Sequence, residues 1–141
     1  MHVGCVITYP DEFHVLNKTN FVCRALDNRM GGFMIAEVAR LLHENKKTLP
    51  FGLYITNSVQ EEVGLRGAEM ITQTIKPDMA IITDVTHDTT TPMVNQKKQG
   101  AVKNGDGPVI AFAPAVQQKL RDLIIETADT NNIPFQRSAL S

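Results

Sequence analysis

The sequence predicts an α/β fold, a three-layer sandwich in which helices cover both faces of a mixed, mostly parallel β-sheet. Short apolar runs alternate along the chain with segments of helical periodicity, which is typical of strand–helix–strand units. The runs are apolar at nearly every position, as in strands that are buried on both faces. No internal repeat or low-complexity tract breaks this alternation.

Two strands and a long helix are predicted in the first part of the chain. The apolar runs Val3–Tyr9 and Asn20–Ala25 indicate strands. Apolar side chains then recur at intervals of four, four and three residues, with charged residues on another face. These apolar residues are Met30, Met34, Val38 and Leu41. Their spacing predicts an amphipathic helix over Asn28–Asn45.

The middle of the chain is predicted to hold two buried strands with a helix between them. Phe51–Thr56 (FGLYIT) and Met79–Thr83 (MAIIT) are almost continuously apolar, as buried strands are. Gly64–Ile75 has helical character, and Pro77 ends it because proline cannot continue a helix.

The last part is predicted to begin with a long loop. Thr86–Gly107 is polar and rich in Thr, Lys, Asn and Gly, and we expect one strand in it around Met93–Asn95. A strand over Pro108–Ala113, a helix over Ala115–Thr130 and a short strand over Ile133–Gln136 complete the predicted sheet.

The composition fits one domain and excludes several classes of partner. Of 141 residues, 43% are hydrophobic, which is enough for a core. The 14 basic and 15 acidic residues balance, so we expect neither a nucleic-acid nor a membrane partner. No apolar run approaches the ~20 residues of a membrane span, and residues 1–13 do not resemble a signal peptide. Cys5 and Cys23 lie in apolar runs, which indicates buried free thiols and a reducing, cytoplasmic setting.

Four acidic residues lie at or just past the carboxyl ends of three predicted strands. They are Asp27, Glu61, Glu62 and Asp84. Ligands of open α/β sheets bind beyond these strand ends. Carboxylates gathered there repel one another unless a cation is bound between them. Their hard oxygen atoms suit zinc, cobalt or manganese, so the pattern indicates a metal site.

Each acidic residue also has a purely structural interpretation, and these alternatives stay open. Asp27 is a candidate helix N-cap, with Asn28 as the alternative. Glu61 and Glu62 are acids that suit the first turn of a helix, where the dipole is positive. Asp84 suits a cap of the turn that follows. His87, three residues further on, is either an exposed loop histidine or a contact to a ligand carboxylate or to substrate.

The phrases ALDNRMGG, NSVQEEVGLRGAEM and IITDVT resemble the TET-type dinuclear metallo-aminopeptidases, which include glutamyl aminopeptidases and the so-called cellulase M group. The segments GPVIAFAPAVQQKL and NNIPFQ are also similar to that family, so the resemblance covers nearly the whole chain. VQEEVGLRGA is its most specific part.

The resemblance implies a role for each carboxylate. Asp27 matches the aspartate that bridges two metals, and Glu61 matches the general base. Glu62 matches a ligand of one metal and Asp84 a ligand of the other. The implied cofactors are two divalent ions, zinc or cobalt. The implied partners are peptide substrates and further copies of the chain, in a dimer-based homo-oligomer that reaches a dodecamer in the parent protein.

The family also has a His-x-Asp pair upstream of the bridging aspartate and a late ligand histidine after Gly-Thr-Asp. The sequence contains neither. We therefore expect a truncated part of the fold, with residues 1–21 the end of an inserted dimerisation domain and residues 22–141 a partial catalytic domain. Metal binding by this chain is expected to be weak or absent, and the chain alone inactive.

Two other functions remain open. One is a different amide hydrolase of the same superfamily, a deacylase or a carboxypeptidase. The other is a non-catalytic assembly module that binds sister chains and no metal.

Overall fold

The computed structural model describes residues 2–139, which divide into two compact units at the Val85–Thr86 boundary. The first unit contains strands β1 (His14–Leu16) and β2 (Asn20–Val22) and helices α1 (Leu26–Glu44) and α2 (Arg66–Ile75). The second contains helix α3 (Gln96–Gln99), strand β3 (Val109–Phe112), helix α4 (Gln118–Thr130) and strand β4 (Gln136–Ala139). Both element types are present, as an α/β fold requires.

Strands β1 and β2 form an antiparallel hairpin in which Val15 pairs with Phe21. The connecting turn places Asn17 and Lys18 at positive φ values of 50° and 66°. Asparagine tolerates this left-handed backbone better than most residues, which favours a turn at this point. The rings of Phe13 and Phe21 pack at 5.3 Å between centroids and add an apolar contact to the hairpin.

Helix α1 is the longest element and confirms the helix predicted over Asn28–Asn45. On its polar face, Arg40 bonds both Glu37 and Glu44, one turn away in each direction. The helix ends at Glu44 and is capped by Asn45. The backbone N–H and the side-chain Nδ2 of Asn45 both donate to the Leu41 carbonyl oxygen.

The chain before the hairpin is held against the start of α1. The Arg29 guanidinium bonds both carboxylate oxygens of Asp11, at 3.0 and 3.2 Å. Arg24 donates to the Thr8 hydroxyl and the Tyr9 carbonyl oxygen, both at 3.3 Å. The Arg29 guanidinium holds the pKa of the Asp11 carboxyl below its usual range. Residues 8–11 are therefore fixed by polar contacts and not by strand pairing.

In the second unit, β3 and β4 form a parallel pair, with Val109 opposite Gln136. The side chain of Gln136 adds three bonds: its Nε2 donates to the carbonyl oxygens of Lys103 and Gly107, and its Oε1 accepts from Lys103 N–H. These bonds hold the loop before β3 against the start of β4.

Thr89 is the most buried polar residue of the second unit, with 3% of its surface exposed. Its hydroxyl donates to the Val102 carbonyl oxygen (3.0 Å) and accepts from the Val102 N–H (2.8 Å). Val102 is itself 5% exposed, so both ends of the link are shielded from water. This pair closes the loop that contains α3.

Several predicted strands are wrong in position or absent from residues 2–139. Val3–Tyr9, Phe51–Thr56, Met79–Thr83 and Met93–Asn95 contain no strand. The last predicted strand lies three residues later, at Gln136–Ala139, and Asn20–Ala25 is a strand only to Val22. Instead of one mixed sheet, the described part of the chain contains two separate two-stranded sheets.

The physical reason is that an apolar run becomes a strand only when a neighbour accepts and donates its backbone hydrogen bonds. No such neighbour for residues 51–56 or 79–83 exists within residues 2–139. Their side chains remain exposed as a result: Tyr54 by 68% and Ile82 by 87%. An apolar run carries no information on its strand partner. For the same reason Cys5, in the run Val3–Tyr9, is exposed, and Cys23 is only half-buried, so the prediction that both thiols are buried is wrong.

The helices agree better with the sequence, since their hydrogen bonds are internal. Helix α2 begins two residues after the predicted Gly64, and α4 begins three residues after the predicted Ala115. The short helix α3 was not predicted. Its signal is Asn95, an N-cap whose side chain accepts from the Lys97 N–H at 3.0 Å.

None of the helices found in residues 2–139 is long and apolar enough to cross a membrane.

Replacing Thr89 by valine keeps the shape of the side chain and removes the hydroxyl. We expect the second unit to lose about 1–3 kcal/mol of unfolding free energy, because the buried Val102 N–H is left without an acceptor. Chemical denaturation followed by NMR signals of β3 and β4 measures this. Thr127→Val is the control, since the Thr127 hydroxyl is exposed and bonds only the Leu123 carbonyl oxygen of its own helix. Equal losses in both variants would contradict the role given to Thr89.

Acid is expected to release residues 8–11 from α1. Because Arg29 lowers the pKa of Asp11 in the folded chain, the stabilisation is present above the ordinary value of 3.8. It is lost as the pH falls from 3.8 through the lower folded value. The carboxyl carbon of Asp11, followed by NMR, should titrate below 3.8, and Arg29→Gln should bring the midpoint back up. Arg40→Gln, which removes a cation paired elsewhere, should leave it unchanged.

Candidate functional site

Asp27 lies in the first residues of α1, which are not yet helical. Ala25, just before, has a left-handed backbone with φ 54°. Asp27 and Asn28 have ψ values of 104° and 54°, and the peptide bond between them is cis. The Asp27 side chain is exposed. It therefore projects from a bent entry segment and does not occupy a regular helical position.

Asn28 connects this entry segment to the residue before Asp84. Its Nδ2 group donates to the Thr83 carbonyl oxygen at 2.7 Å, and its Oδ1 accepts from the Gly31 N–H at 2.7 Å. Both bonds are partly buried. The two carboxylates, 57 positions apart in the sequence (84 − 27), thus flank one side-chain hydrogen bond.

Gly31 is the residue that makes room for the Asn28 amide. A Cβ atom at Gly31 would lie 2.5 Å from Asn28 Oδ1 and 2.6 Å from Nδ2, closer than atoms can approach. Gly31 is also buried. Any side chain at this position would require the Asn28 amide to shift.

Glu61 and Glu62 lie in a tight 3₁₀ turn, Glu61–Val63. Gln60 before the turn and Gly64 and Leu65 after it all have left-handed backbones, at φ 60°, 107° and 57°. The N–H groups of Gly64 and Leu65 both donate to the Glu61 carbonyl oxygen, at 3.1 and 3.0 Å. Successive residues of a 3₁₀ turn point about 120° apart, so the two carboxylates face different directions.

Gly67 fixes this turn against α2. Its N–H donates to the Val59 carbonyl oxygen at 3.0 Å. A Cβ atom at Gly67 would lie 2.4 Å from that oxygen and 2.5 Å from the Val59 nitrogen. Backbone atoms cannot move away as a flexible side chain can, so this close approach requires glycine.

Asp84 lies at the end of the apolar segment Met79–Thr83. Its Oδ1 atom accepts a hydrogen bond from the Val85 N–H at 2.8 Å, and the side chain is exposed. This bond orients the carboxylate and leaves its second oxygen free.

The first turn of α1 is bonded to the segment that leads to Asp84, through the Asn28 side chain and the Thr83 carbonyl oxygen. At Gly32, a Cβ atom would meet only Asn57 Nδ2 at 3.8 Å, an ordinary contact distance, so this position has room for a side chain.

The donor chemistry of these carboxylates fits a divalent cation. Within residues 2–139, none of the four forms a salt bridge with Lys, Arg or His. Carboxylate oxygens that face solvent and have no cationic partner are suitable ligands for zinc, cobalt or manganese. In the same residues, no three or more His, Cys, Asp or Glu side chains form a group that could hold one metal. With Asp27 shared, the expected assignment gives each metal only two carboxylate ligands. The roles of the individual residues stay a prediction.

His87 belongs to the second unit and is exposed. The carboxylate of its neighbour Asp88 links two parts of the loop. It accepts hydrogen bonds from the Thr90 N–H and hydroxyl and from the Asn104 N–H. These bonds lower the pKa of Asp88. The alternative roles expected for His87 stay open.

Sequence reasoning named Asn28 only as an alternative helix cap, and it missed Gly31 and Gly67. A signal that links Asn28 to Gly31 was present. An asparagine at the start of a helix with glycine three residues later matches a side-chain acceptor and a closely approaching N–H. No local sequence pattern indicated that the Nδ2 group of Asn28 would bond the Thr83 carbonyl oxygen.

The chain is similar to known proteins over most of its length. The whole chain, residues 1–141, matches the family described as M42 glutamyl aminopeptidase. A lysyl aminopeptidase of Pyrococcus furiosus is 34% identical over 134 residues, which is 95% of this chain and 37% of the relative. The chain thus spans little more than a third of the length of that curated relative.

Two solved structures are similar in fold. A TET aminopeptidase from a marine-sediment Thaumarchaeota archaeon matches with a TM-score of 0.80 and 29% identity, over 92% of this chain and 37% of that one. The structure described as the PhTET1 dodecamer matches with a TM-score of 0.68 and 25% identity, over 93% and 39%. By the match over its full length, the chain belongs to the M42 glutamyl aminopeptidase family.

Proposed function

We propose that this chain supplies the general base and three metal-binding carboxylates of a metal-dependent aminopeptidase. The observation that carries the proposal is the family match over residues 1–141. The hydrogen bond from Asn28 to the Thr83 carbonyl oxygen supports it, because it connects the segment that contains Asp27 to the segment that leads to Asp84.

Each carboxylate has a proposed task. Asp27 would be a ligand shared by both ions. Glu62 would be a ligand of one ion and Asp84 a ligand of the other. When bound, the two ions act as Lewis acids toward the scissile carbonyl and the attacking water. Zinc and cobalt are the ions proposed.

Glu61 is proposed as the general base. It takes a proton from the attacking water and delivers that proton to the nitrogen of the leaving amine as the peptide bond breaks. The different directions of neighbouring residues in the 3₁₀ turn support the division between Glu61 as base and Glu62 as ligand. The backbone bonds of Gly64, Leu65 and Gly67 hold the turn in place without using either carboxylate.

The rest of the proposed fold lies in a longer protein. A three-layer sandwich with a mixed sheet would give the apolar segments Phe51–Thr56 and Met79–Thr83 the strand neighbours that they lack here. We propose that residues 1–21 end an inserted dimerisation domain and that residues 22–141 form part of the catalytic domain. Homo-oligomers, as the name of the PhTET1 structure records for that protein, are proposed for the parent.

The proposed ligand set of this chain contains three carboxylates and no histidine. We therefore propose that the isolated chain binds metal weakly and that catalysis requires the longer protein. Peptides with a free amino terminus are the proposed substrates, and a cytoplasmic setting remains a prediction from the sequence.

The roles of Glu61 and Glu62 are tested by paired substitutions in the longer protein. Glu61→Gln should lower kcat by about 10²–10⁴-fold with metal content nearly unchanged, because the amide keeps the shape but cannot take a proton. Glu62→Gln should lower metal content, and added metal should restore part of the activity. Steady-state kinetics and metal analysis of the purified variants measure both effects.

Glu69→Gln on α2 is the matched control for these two variants. It removes the same charge from a side chain that accepts from Gln73 Nε2, and it should leave kcat and metal content near the wild-type values. Near-normal turnover of the Glu61 variant would disprove its role as the base. Recovery of that variant by excess metal, with none for the Glu62 variant, would show that the two roles are reversed.

A requirement for a free amino terminus separates an aminopeptidase from a deacylase or carboxypeptidase. We expect the longer protein to cleave an unmodified peptide from its amino end and to leave the N-acetylated form of the same peptide intact. Mass spectrometry of the products checks this. Cleavage of the acetylated peptide, or release of residues from the carboxyl end, would favour the other amide hydrolases, and no cleavage with metal present would favour an assembly module.

A further inference from the structure

We propose that Asn104 is a site of spontaneous covalent modification, in which its side-chain amide is converted to a carboxylate and its contact with Asp88 is lost. The inference does not depend on the proposed function. It stands on three features of the described residues: a glycine directly after Asn104, reacting groups that are free of hydrogen bonds, and the bond from the Asn104 N–H to Asp88.

The reaction is the attack of a backbone nitrogen on the neighbouring side-chain amide. The Gly105 nitrogen loses its proton and forms a bond to Asn104 Cγ. The bond from Cγ to Nδ2 breaks, and ammonia leaves with that proton. The product is a succinimide ring, and water adds to either of its carbonyl carbons and reopens it as aspartate or isoaspartate. No group is oxidised or reduced, and water is the only co-reactant.

Gly105 makes this attack sterically accessible. It is the only glycine that directly follows an asparagine in the sequence. Because glycine has no Cβ, its backbone nitrogen is open to approach, and it adopts the positive φ of 91° without strain. A Cβ atom built on Gly105 would meet nothing within 4 Å, so there is open space beside the nitrogen. Asn104 is exposed to the water that the second step consumes.

Neither reacting group is held by a hydrogen bond to another of residues 2–139. The turn closes between the Lys103 carbonyl oxygen and the Asp106 N–H, which leaves the Gly105 N–H unbonded. At 3.3 Å this closing bond is longer than usual, so the turn is only weakly fixed. The Asn104 side chain is equally free within the same residues, whereas other asparagine amides donate to carbonyl oxygens. Those amides belong to Asn28, Asn45 and Asn131.

The modification acts on the contact that Asp88 makes across the loop. Asp88 Oδ2 accepts from the Asn104 N–H at 2.9 Å, while Oδ1 accepts from the Thr90 N–H and hydroxyl. A carboxylate at position 104 places a like charge beside Asp88, and isoaspartate also lengthens the backbone by one carbon atom. Both changes oppose the bond between residue 104 and Asp88. The Thr90 bonds remain, so the loop loses one of its two connections to Asp88.

The pKa of Asp88 reports the state of this contact. It lies below its usual range because of bonds from the Thr90 hydroxyl, the Asn104 N–H and the Thr90 N–H, with a smaller contribution from the charge of Lys103. Losing the Asn104 bond and gaining a negative charge nearby both favour the protonated carboxyl. The pKa of Asp88 should therefore rise when Asn104 is converted.

The experiment is a timed incubation of the 141-residue chain at neutral pH in warm water labelled with ¹⁸O, followed by digestion in ordinary water. Each residue converted during the incubation takes up labelled oxygen, and later conversion does not. Peptide mass spectrometry should find the label at residue 104 and none at Asn132, the matched control. Asn132 is also exposed and lies in the same unit, but Ile133 follows it, and the Ile133 N–H donates to the Ala128 carbonyl oxygen at 2.9 Å.

Asn104→Gln is the control for the consequence at Asp88. The longer side chain disfavours ring closure, so labelling at position 104 should be abolished, and the backbone N–H that bonds Asp88 is kept. By NMR of the carboxyl carbon, Asp88 of this variant should titrate as in the freshly prepared wild-type chain. The converted wild-type chain should titrate at a higher pH.

Three results would overturn the proposal. One is equal labelling of Asn104 and Asn132. Another is an Asn104 that is converted in urea but stays intact in the folded chain, since the fold would then protect it. The third is an unchanged pKa of Asp88 in the converted chain, which would show that the contact survives the modification.

Discussion

The side-chain amide of Asn28 joins the start of helix α1 to the segment before Asp84, and the arrangement of the first unit depends on this contact. In a complete α/β sheet, neighbouring strands would hold such segments through regular backbone bonds. Within residues 2–139, that role falls to single side-chain and loop contacts: Asn28 to Thr83, Gly67 to Val59 and Arg29 to Asp11. Asn28 and Arg29 lie within two residues of Asp27, and Val59 lies two residues before Glu61. These contacts are therefore close in sequence to residues with proposed roles in catalysis or metal binding.

A large apolar surface remains exposed in this chain. Phe51, Tyr54, Ile81 and Ile82 lie in segments whose sequence is that of buried strands, yet all four are exposed. Full burial of one such side chain stabilises a fold by roughly 1.5–3 kcal/mol, so covering both segments would be a major stabilising contribution. The family relatives are much longer than this chain, and the proposed three-layer fold places these segments inside a sheet.

Turn geometry, more than regular structure, determines where the carboxylates point. Ala25, Gln60 and Leu65 adopt left-handed backbones although none is glycine. Such conformations cost of order 1 kcal/mol or more each and persist where the surrounding contacts require them. They occur directly beside Asp27 and the Glu61–Val63 turn, so these bends contribute to the directions of both side chains.

The sequence by itself determined the helices and, through its motifs, the family. Helices α1 and α2 could be predicted from one segment of sequence each, because a helix satisfies its hydrogen bonds within one segment. The roles of Asp27, Glu61, Glu62 and Asp84 were predicted from residue type and order, and they stay a prediction. The tertiary structure alone decided the strand pairing and the positioning contacts. Both depend on groups far apart in the chain: a strand needs a partner, and the Asn28 amide reaches an acceptor 55 residues away, which no local pattern encodes.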